Sequence, residues 1–185
     1  MSFAFGHILG GWSFGKIAER VRKTQFSHYT WFFIIFGALL PDVDFLIDWV
    51  FKTDLHRTFS HSIFFLIAAP LTTFILFHIL NHPEKKQFAL ALAIGILSHL
   101  TLDFFTNRGI PLLWPSLLHF SVYKIHYFDL ATPSFLDNDA AHLRTSLKLA
   151  VLDMAIGTAF LFYLWWRKKI KFSGRKTKMR FIVIA

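Results

Sequence analysis

Three short clusters hold the acids and histidines of this chain that are equipped for chemistry: Pro41-Asp42-Val43-Asp44, His56-Arg57-Thr58-Phe59-Ser60-His61-Ser62 and His99-Leu100-Thr101-Leu102-Asp103. Each stands in or beside a long apolar run, where ionisable side chains are costly and mark function by default. Imidazole nitrogens with carboxylate oxygens make a donor set suited to a divalent cation such as zinc or manganese. Cysteine is absent, so there is no thiolate ligand, no Cys nucleophile and no disulfide framework.

His99 and Asp103 are four residues apart, which on a helix puts both side chains on one face, one turn apart. Such a pair serves one ion or two adjacent ones, or else a capped helix end with a satisfied His–Asp hydrogen bond. Pro41 removes a backbone donor and disturbs the preceding turn, which can aim Asp42 and Asp44 at a cavity. One aspartate would then bridge ions while the other orients a ligand histidine; the alternative is a simple N-cap. His56 and His61 add two neutral imidazoles, common metal ligands near neutral pH. Arg57 suits bidentate contact with phosphate or carboxylate, or an ion pair with Asp54 or Asp44. Arg57 and Asp42 are the expected catalytic residues. Ser60 is expected to cap the third helix, since a metal-activated water makes a serine nucleophile unnecessary.

His7 sits alone in a Gly-rich apolar segment and is either a packing residue or a further nitrogen ligand. The candidate ligands are therefore His7, Asp42, Asp44, His56, His61, His99 and Asp103, around one or two ions. His28, His78 and His82 fall at the other side and read as interfacial. His119, His126 and His142 match no ligand spacing. Gly109-Ile110-Pro111-Leu112-Leu113-Trp114-Pro115 implies a fixed turn that walls a pocket with Trp114 or is a plain loop.

The elements that must position these residues are set by composition. Of 185 residues 55% are hydrophobic, with 24 Phe and 6 Trp, and mean hydropathy is +0.48. That exceeds the apolar share of ordinary soluble domains, so the expected fold is all-α: a multipass transmembrane bundle of about four or five membrane-embedded helices. The apolar stretches are Phe3–Ala18, Tyr29–Phe51, Ser62–Leu80, Phe88–Phe105 and Leu147–Trp166. Thr106–Arg144, with three prolines, reads as a long extracytoplasmic loop. Residues 1–166 form a single membrane-embedded domain, and 167–185 a basic tail. No Lys or Arg precedes the first apolar stretch, so it does not read as a cleaved signal peptide.

The net charge of +9 raises nucleic-acid binding, but the distribution argues against it. Lys16, Arg20, Arg22, Lys23, Lys85, Lys86 and the tail flank apolar segments on alternate sides, the positive-inside pattern. The C-terminus is then cytoplasmic in a cytoplasmic (inner) membrane. The candidate ligands, which played no part in that choice, all fall on the extracytoplasmic side.

Taken together, these motifs resemble the YdjM-like family, described as LexA-regulated, membrane-bound, metal-dependent hydrolases. The resemblance rests on His7, on Pro41, Asp42 and Asp44, on His56 to Ser62, and on His99, Asp103, Gly109, Trp114 and Pro115, over roughly the first 115 residues. The order His7, Asp44 or Asp42, His61, His99, Asp103 is also remotely similar to that of zinc-dependent phospholipase C and the single-strand nucleases. Their later ligands have no match here, where the only glutamates are Glu19 and Glu84.

The resemblance implies hydrolysis of an ester or phosphoester through a metal-activated water, and the bilayer setting favours a lipid substrate, with Arg57 stabilising anionic charge. The alternatives are a non-catalytic metal-binding membrane protein or cation transporter, and a structural protein with a polar network. Oligomeric state is not legible in the chain.

Overall fold

The computed structural model describes residues 4–44, 51, 57–106, 109–116, 118–123, 125–127, 151–152, 155–160 and 162–163. Within them lie four long helices: α1 (Ala4–Arg22), α2 (His28–Leu39), α3 (Ile63–Ile79) and α4 (Lys85–Phe104). The expected helical class holds, with one addition. Inside the stretch read as a loop, β1 (Leu118–Phe120) and β2 (Ile125–Tyr127) pair antiparallel, with His119 opposite His126.

Helix boundaries follow local chemistry. Ser27 caps α2, its hydroxyl accepting the Thr30 N–H at 3.2 Å. Pro41 cannot continue that helix, and the chain tightens into a 3-10 turn over Leu40–Asp42. A second 3-10 turn, Phe59–His61, precedes α3. The cap of α3 is Ser62, which accepts the Phe65 N–H at 3.2 Å. That corrects the expectation for Ser60, whose hydroxyl is used elsewhere. In α3 the hydroxyls of Thr72 and Thr73 donate to the carbonyls of Ala68 and Ala69 at 2.8 and 3.0 Å, satisfying themselves where water is scarce.

Glycine decides how closely the helices pack. A Cβ on Gly11 would stand 2.8 Å from Ala38 Cβ, and one on Gly95 would stand 2.8 Å from Ala38 N and 2.9 Å from the Gly37 carbonyl carbon. A Cβ on Gly37 would in turn meet Leu92 O at 2.5 Å. The backbones of α1, α2 and α4 therefore touch around Ala38, the small-residue contact that brings membrane helices together. Ile34, Leu92, Ile96, Leu100 and Ile110 are buried around this contact.

Away from it the surface is apolar. No residue of α3 is buried, and Phe32, Phe64, Ile67 and Leu71 are each more than half exposed, a patch that suits lipid better than water. By length and composition α4 is long and apolar enough to cross a membrane, and α3, at 17 residues, is apolar but shorter. Described residues of the last apolar segment return to α1: a Cβ on Gly157 would overlap Phe5, and Trp12 meets Phe160 edge-on at 6.1 Å.

The segment after α4 folds back across the bundle end that holds Asp42, His61 and Asp103. Gly109 takes φ +66°, a region glycine enters without a Cβ penalty, and a Cβ there would stand 2.5 Å from Phe120 O. Ile110 and Phe120 exchange backbone hydrogen bonds at 3.0 and 2.9 Å, Val122 N donates to Phe104 O at 3.0 Å, and Ile63 N to Leu112 O at 3.0 Å.

Candidate metal centre

Each ligand-bearing helix places a small residue one turn from its ligand. Gly11 follows His7 by four residues, Ala38 precedes Asp42 by four, and Gly95 precedes His99 by four. The layer in which the three backbones touch therefore lies directly beneath the layer of functional side chains. Contact in the lower layer forces convergence in the upper one.

The convergence is tight. One ligand atom each from His7, Asp42, His99 and Asp103 lie within 4.8 Å of one another. His7 and His99 stack with ring centroids 3.7 Å apart. His61 enters from the turn before α3, its Nε2 3.1 Å from His99 Nε2. Asp42 Oδ1 is 3.5 Å from both of those nitrogens, and Asp103 Oδ2 is 3.5 Å from His61 Nε2 and 3.8 Å from His99 Nε2. The three imidazoles are fully buried and Asp103 is 1% exposed, while Asp42 is 29% exposed. Asp42 is thus the member of the cluster that faces the outside.

These separations fit a metal ion. Donors bound to one zinc at about 2.0–2.1 Å stand roughly 3.3–3.4 Å apart in a tetrahedron, close to the observed spacing. The tautomer fits as well. His99 Nδ1 lies 2.7 Å from the Ala38 carbonyl; a carbonyl only accepts, so Nδ1 carries the proton and the Nε2 lone pair faces the cluster.

Asp44 stands behind His61 rather than in the cluster, its Oδ2 3.6 Å from His61 Nδ1. That oxygen also accepts from Ser60 Oγ and from Arg57 N at 3.3 Å, and Ser60 Oγ is 3.0 Å from His61 Nδ1. Burial opposes protonation of His61, but hydrogen bonds to Asp103, Asp42 and Asp44 outweigh it and push the imidazole up to about 10.

Arg57 is 6% exposed and has φ +61°. Its NH2 donates to Asp103 Oδ2 at 3.0 Å, and its NH1 to Thr106 Oγ1 and the Gly109 carbonyl, each at 3.2 Å. Among the described residues its Nε has no hydrogen-bond partner. Of the ion pairs foreseen for it, Asp54 lies outside the described residues; the guanidinium pairs with Asp103 and the backbone N–H reaches Asp44. His56 lies outside the described residues, as do residues 167–185.

The remaining candidates separate in space. His78 Nδ1 is 3.0 Å from Lys85 Nζ, and His82 Nδ1 accepts the Glu84 N–H at 3.2 Å. Both sit at the α3–α4 turn, at the opposite end of those helices from His61 and Asp103. His119 is buried in the hairpin and is not a member of the cluster. Trp114 packs edge-on against Phe59 at 5.1 Å, next to the His61 turn. Residue patterns did not flag Ala38 O, Ser60, Thr106 or Gly109 O as partners of the site. Only the i±4 relation of small residues to ligands was there to be noticed.

A model of the family described as "YdjM inner membrane protein" matches residues 1–171. The chain is 35% identical over 94 residues to the uncharacterized protein YvsG of Bacillus subtilis, covering 44% of this chain and 54% of that one. It is 32% identical over 132 residues to the inner membrane protein YdjM of Escherichia coli, covering 60% of this chain and 65% of that one, and the Shigella flexneri protein gives the same values. The chain thus spans between about half and two thirds of these relatives' length. No solved structure matches it.

Proposed function

We propose, on the premise that this chain belongs to the YdjM family of inner membrane proteins, that it is a multipass membrane hydrolase whose site holds zinc or manganese. The observation that carries the reading is the buried convergence of His7, His61 and His99 with Asp42 and Asp103. Those five residues would hold the metal, with Asp44 orienting His61; His56 stays in the proposal as a neighbour of Arg57. A bound divalent cation supplies Lewis acidity and brings the pKa of a coordinated water toward about 7.

The chain's own residues supply the rest. Asp42, the more exposed of the two carboxylates in the cluster, is the catalytic residue that would present the metal-bound water to a substrate arriving from outside. Arg57 NH2 holds the Asp103 carboxylate, while NH1 is anchored on Thr106 Oγ1 and the Gly109 carbonyl. Its Nε–H then remains for an anionic oxygen of the substrate. An ester or phosphoester fits that donor, and the apolar surface around α3 favours a lipid one. The alternating flank charges support a site on the extracytoplasmic side and a C-terminus in the cytoplasm.

A second reading, a cation-binding or cation-transporting protein without chemistry, draws on the complete burial of the three imidazoles, which resembles a closed structural site. One experiment separates the two. The purified protein in detergent is assayed for metal content and for hydrolysis of phosphodiester and carboxylic ester reporters, beside His99→Ala. Metal-dependent turnover lost in the variant supports the hydrolase. Bound metal with no turnover favours the binding protein, and turnover that survives complete metal removal overturns both.

A further inference from the structure

The two carboxylates at the centre are each split between different histidines. Asp42 turns Oδ1 to His61 and His99, 3.5 Å from each Nε2, and Oδ2 to His7 Nε2 at 3.7 Å. Asp103 repeats the division, with Oδ2 at 3.5 and 3.8 Å from His61 and His99 and Oδ1 at 3.6 Å from His7 Nε2. The donors therefore sort into two sets: His61 Nε2, His99 Nε2, Asp42 Oδ1 and Asp103 Oδ2 on one side, and His7 Nε2, Asp42 Oδ2 and Asp103 Oδ1 on the other.

A single ion taking all of them would have seven donors. Zinc closes its structural sites with four. The first set alone supplies four, with the histidine–histidine and histidine–carboxylate edges between 3.1 and 3.8 Å. The second set supplies three and leaves a position open, the arrangement of a site that also receives water or substrate. Carboxylates shared in this way hold two ions at about 3.5–4 Å from each other.

We infer that the centre holds two divalent ions bridged by Asp42 and Asp103, one closed by His61 and His99 and the other, on His7, open to an anionic oxygen of the substrate. The inference rests on the metal reading above and refines it. Two dications against two bridging carboxylates, with the Arg57 guanidinium 3.0 Å from Asp103 Oδ2, leave the centre positive. That charge selects a phosphoester over a neutral carboxylic ester.

The test is metal stoichiometry in the intact, detergent-purified chain after equilibrium dialysis against Zn2+, with a parallel sample in Mn2+ read by electron paramagnetic resonance. The expected result is two zinc ions per chain and an exchange-coupled manganese spectrum. One ion per chain with an uncoupled spectrum overturns the two-ion centre and leaves the metal reading standing. No ion overturns both. In His7→Gln the stoichiometry should fall from two to one and the coupling should vanish; two ions retained there would overturn the assigned division of ligands. Should that variant fail to fold, the wild-type count and coupling decide alone.

Discussion

His99 Nδ1 is 2.7 Å from the main-chain carbonyl of Ala38, so the orientation of a side chain on α4 is fixed by the backbone of α2. The contact exists because α2 and α4 approach without side chains between them, at Gly37 and Gly95. A histidine held in this way has one tautomer and one direction for its free nitrogen.

Gly95→Ala should therefore act on the site from a distance. The added methyl meets Ala38 N and the Gly37 carbonyl carbon below 3 Å, and backbone cannot step aside as a flexible side chain can. Overpacking of this kind costs about 1–3 kcal/mol. It should also break the His99–Ala38 contact, so metal affinity should fall together with thermal stability. Unchanged zinc affinity, measured by competition with a fluorescent chelator, would refute the link.

Asp42→Asn and Asp44→Asn should differ although the residues are two apart. Asp44 orients His61 without joining the cluster, and loss of such a partner weakens metal binding by about 10–100-fold. Asp42 belongs to the cluster itself, so its loss should lower the number of ions bound rather than only their affinity. Titrations showing equal effects would contradict the assignment.

Arg57→Ala should destabilise the protein whether or not substrate is present. It takes the guanidinium away from Asp103, which is 1% exposed, and removing one partner of a buried pair costs about 3–5 kcal/mol. Thermal unfolding in detergent reads this directly. A variant that melts like the wild type but loses turnover would make Arg57 a substrate contact alone.

Removing metal should lower the melting temperature in proportion to occupancy. An ion held at one hundred times its dissociation constant stabilises by about 2.7 kcal/mol, several degrees for a chain of this size. Chelator followed by zinc should lower and then restore the transition. A melting temperature indifferent to both would count against a resident ion.

Much of this was legible in the residues. His99 and Asp103 declare themselves by helical spacing, and Pro41 announces the break that frees Asp42. The split between Asp42 and Asp44 was left open because one residue of spacing does not say which carboxylate faces inward; that depends on where His61 arrives. Ser60 and Ser62 are both plausible caps, and only the start of α3 at Ile63 assigns the role. The hairpin was missed because Leu118-His119-Phe120 and Ile125-His126-Tyr127 are too short for an alternating pattern to stand out in a long polar and proline-bearing stretch. The number of membrane crossings is least legible, since α3 is apolar but short and lipid-facing surface leaves no sharper mark in the chain.

The contact of Gly11, Ala38 and Gly95 works as a hard stop between helices, and with it the ligand cluster above acquires a fixed gauge. Calcium needs oxygen donors at about 2.3–2.6 Å and six to eight of them; the histidines of α1 and α4 would have to move outward to admit it. Discrimination between cations would then be written into the spine of the bundle, at residues that never touch the ion, and a shift in metal preference could arise by substitution there while every ligand stays in place.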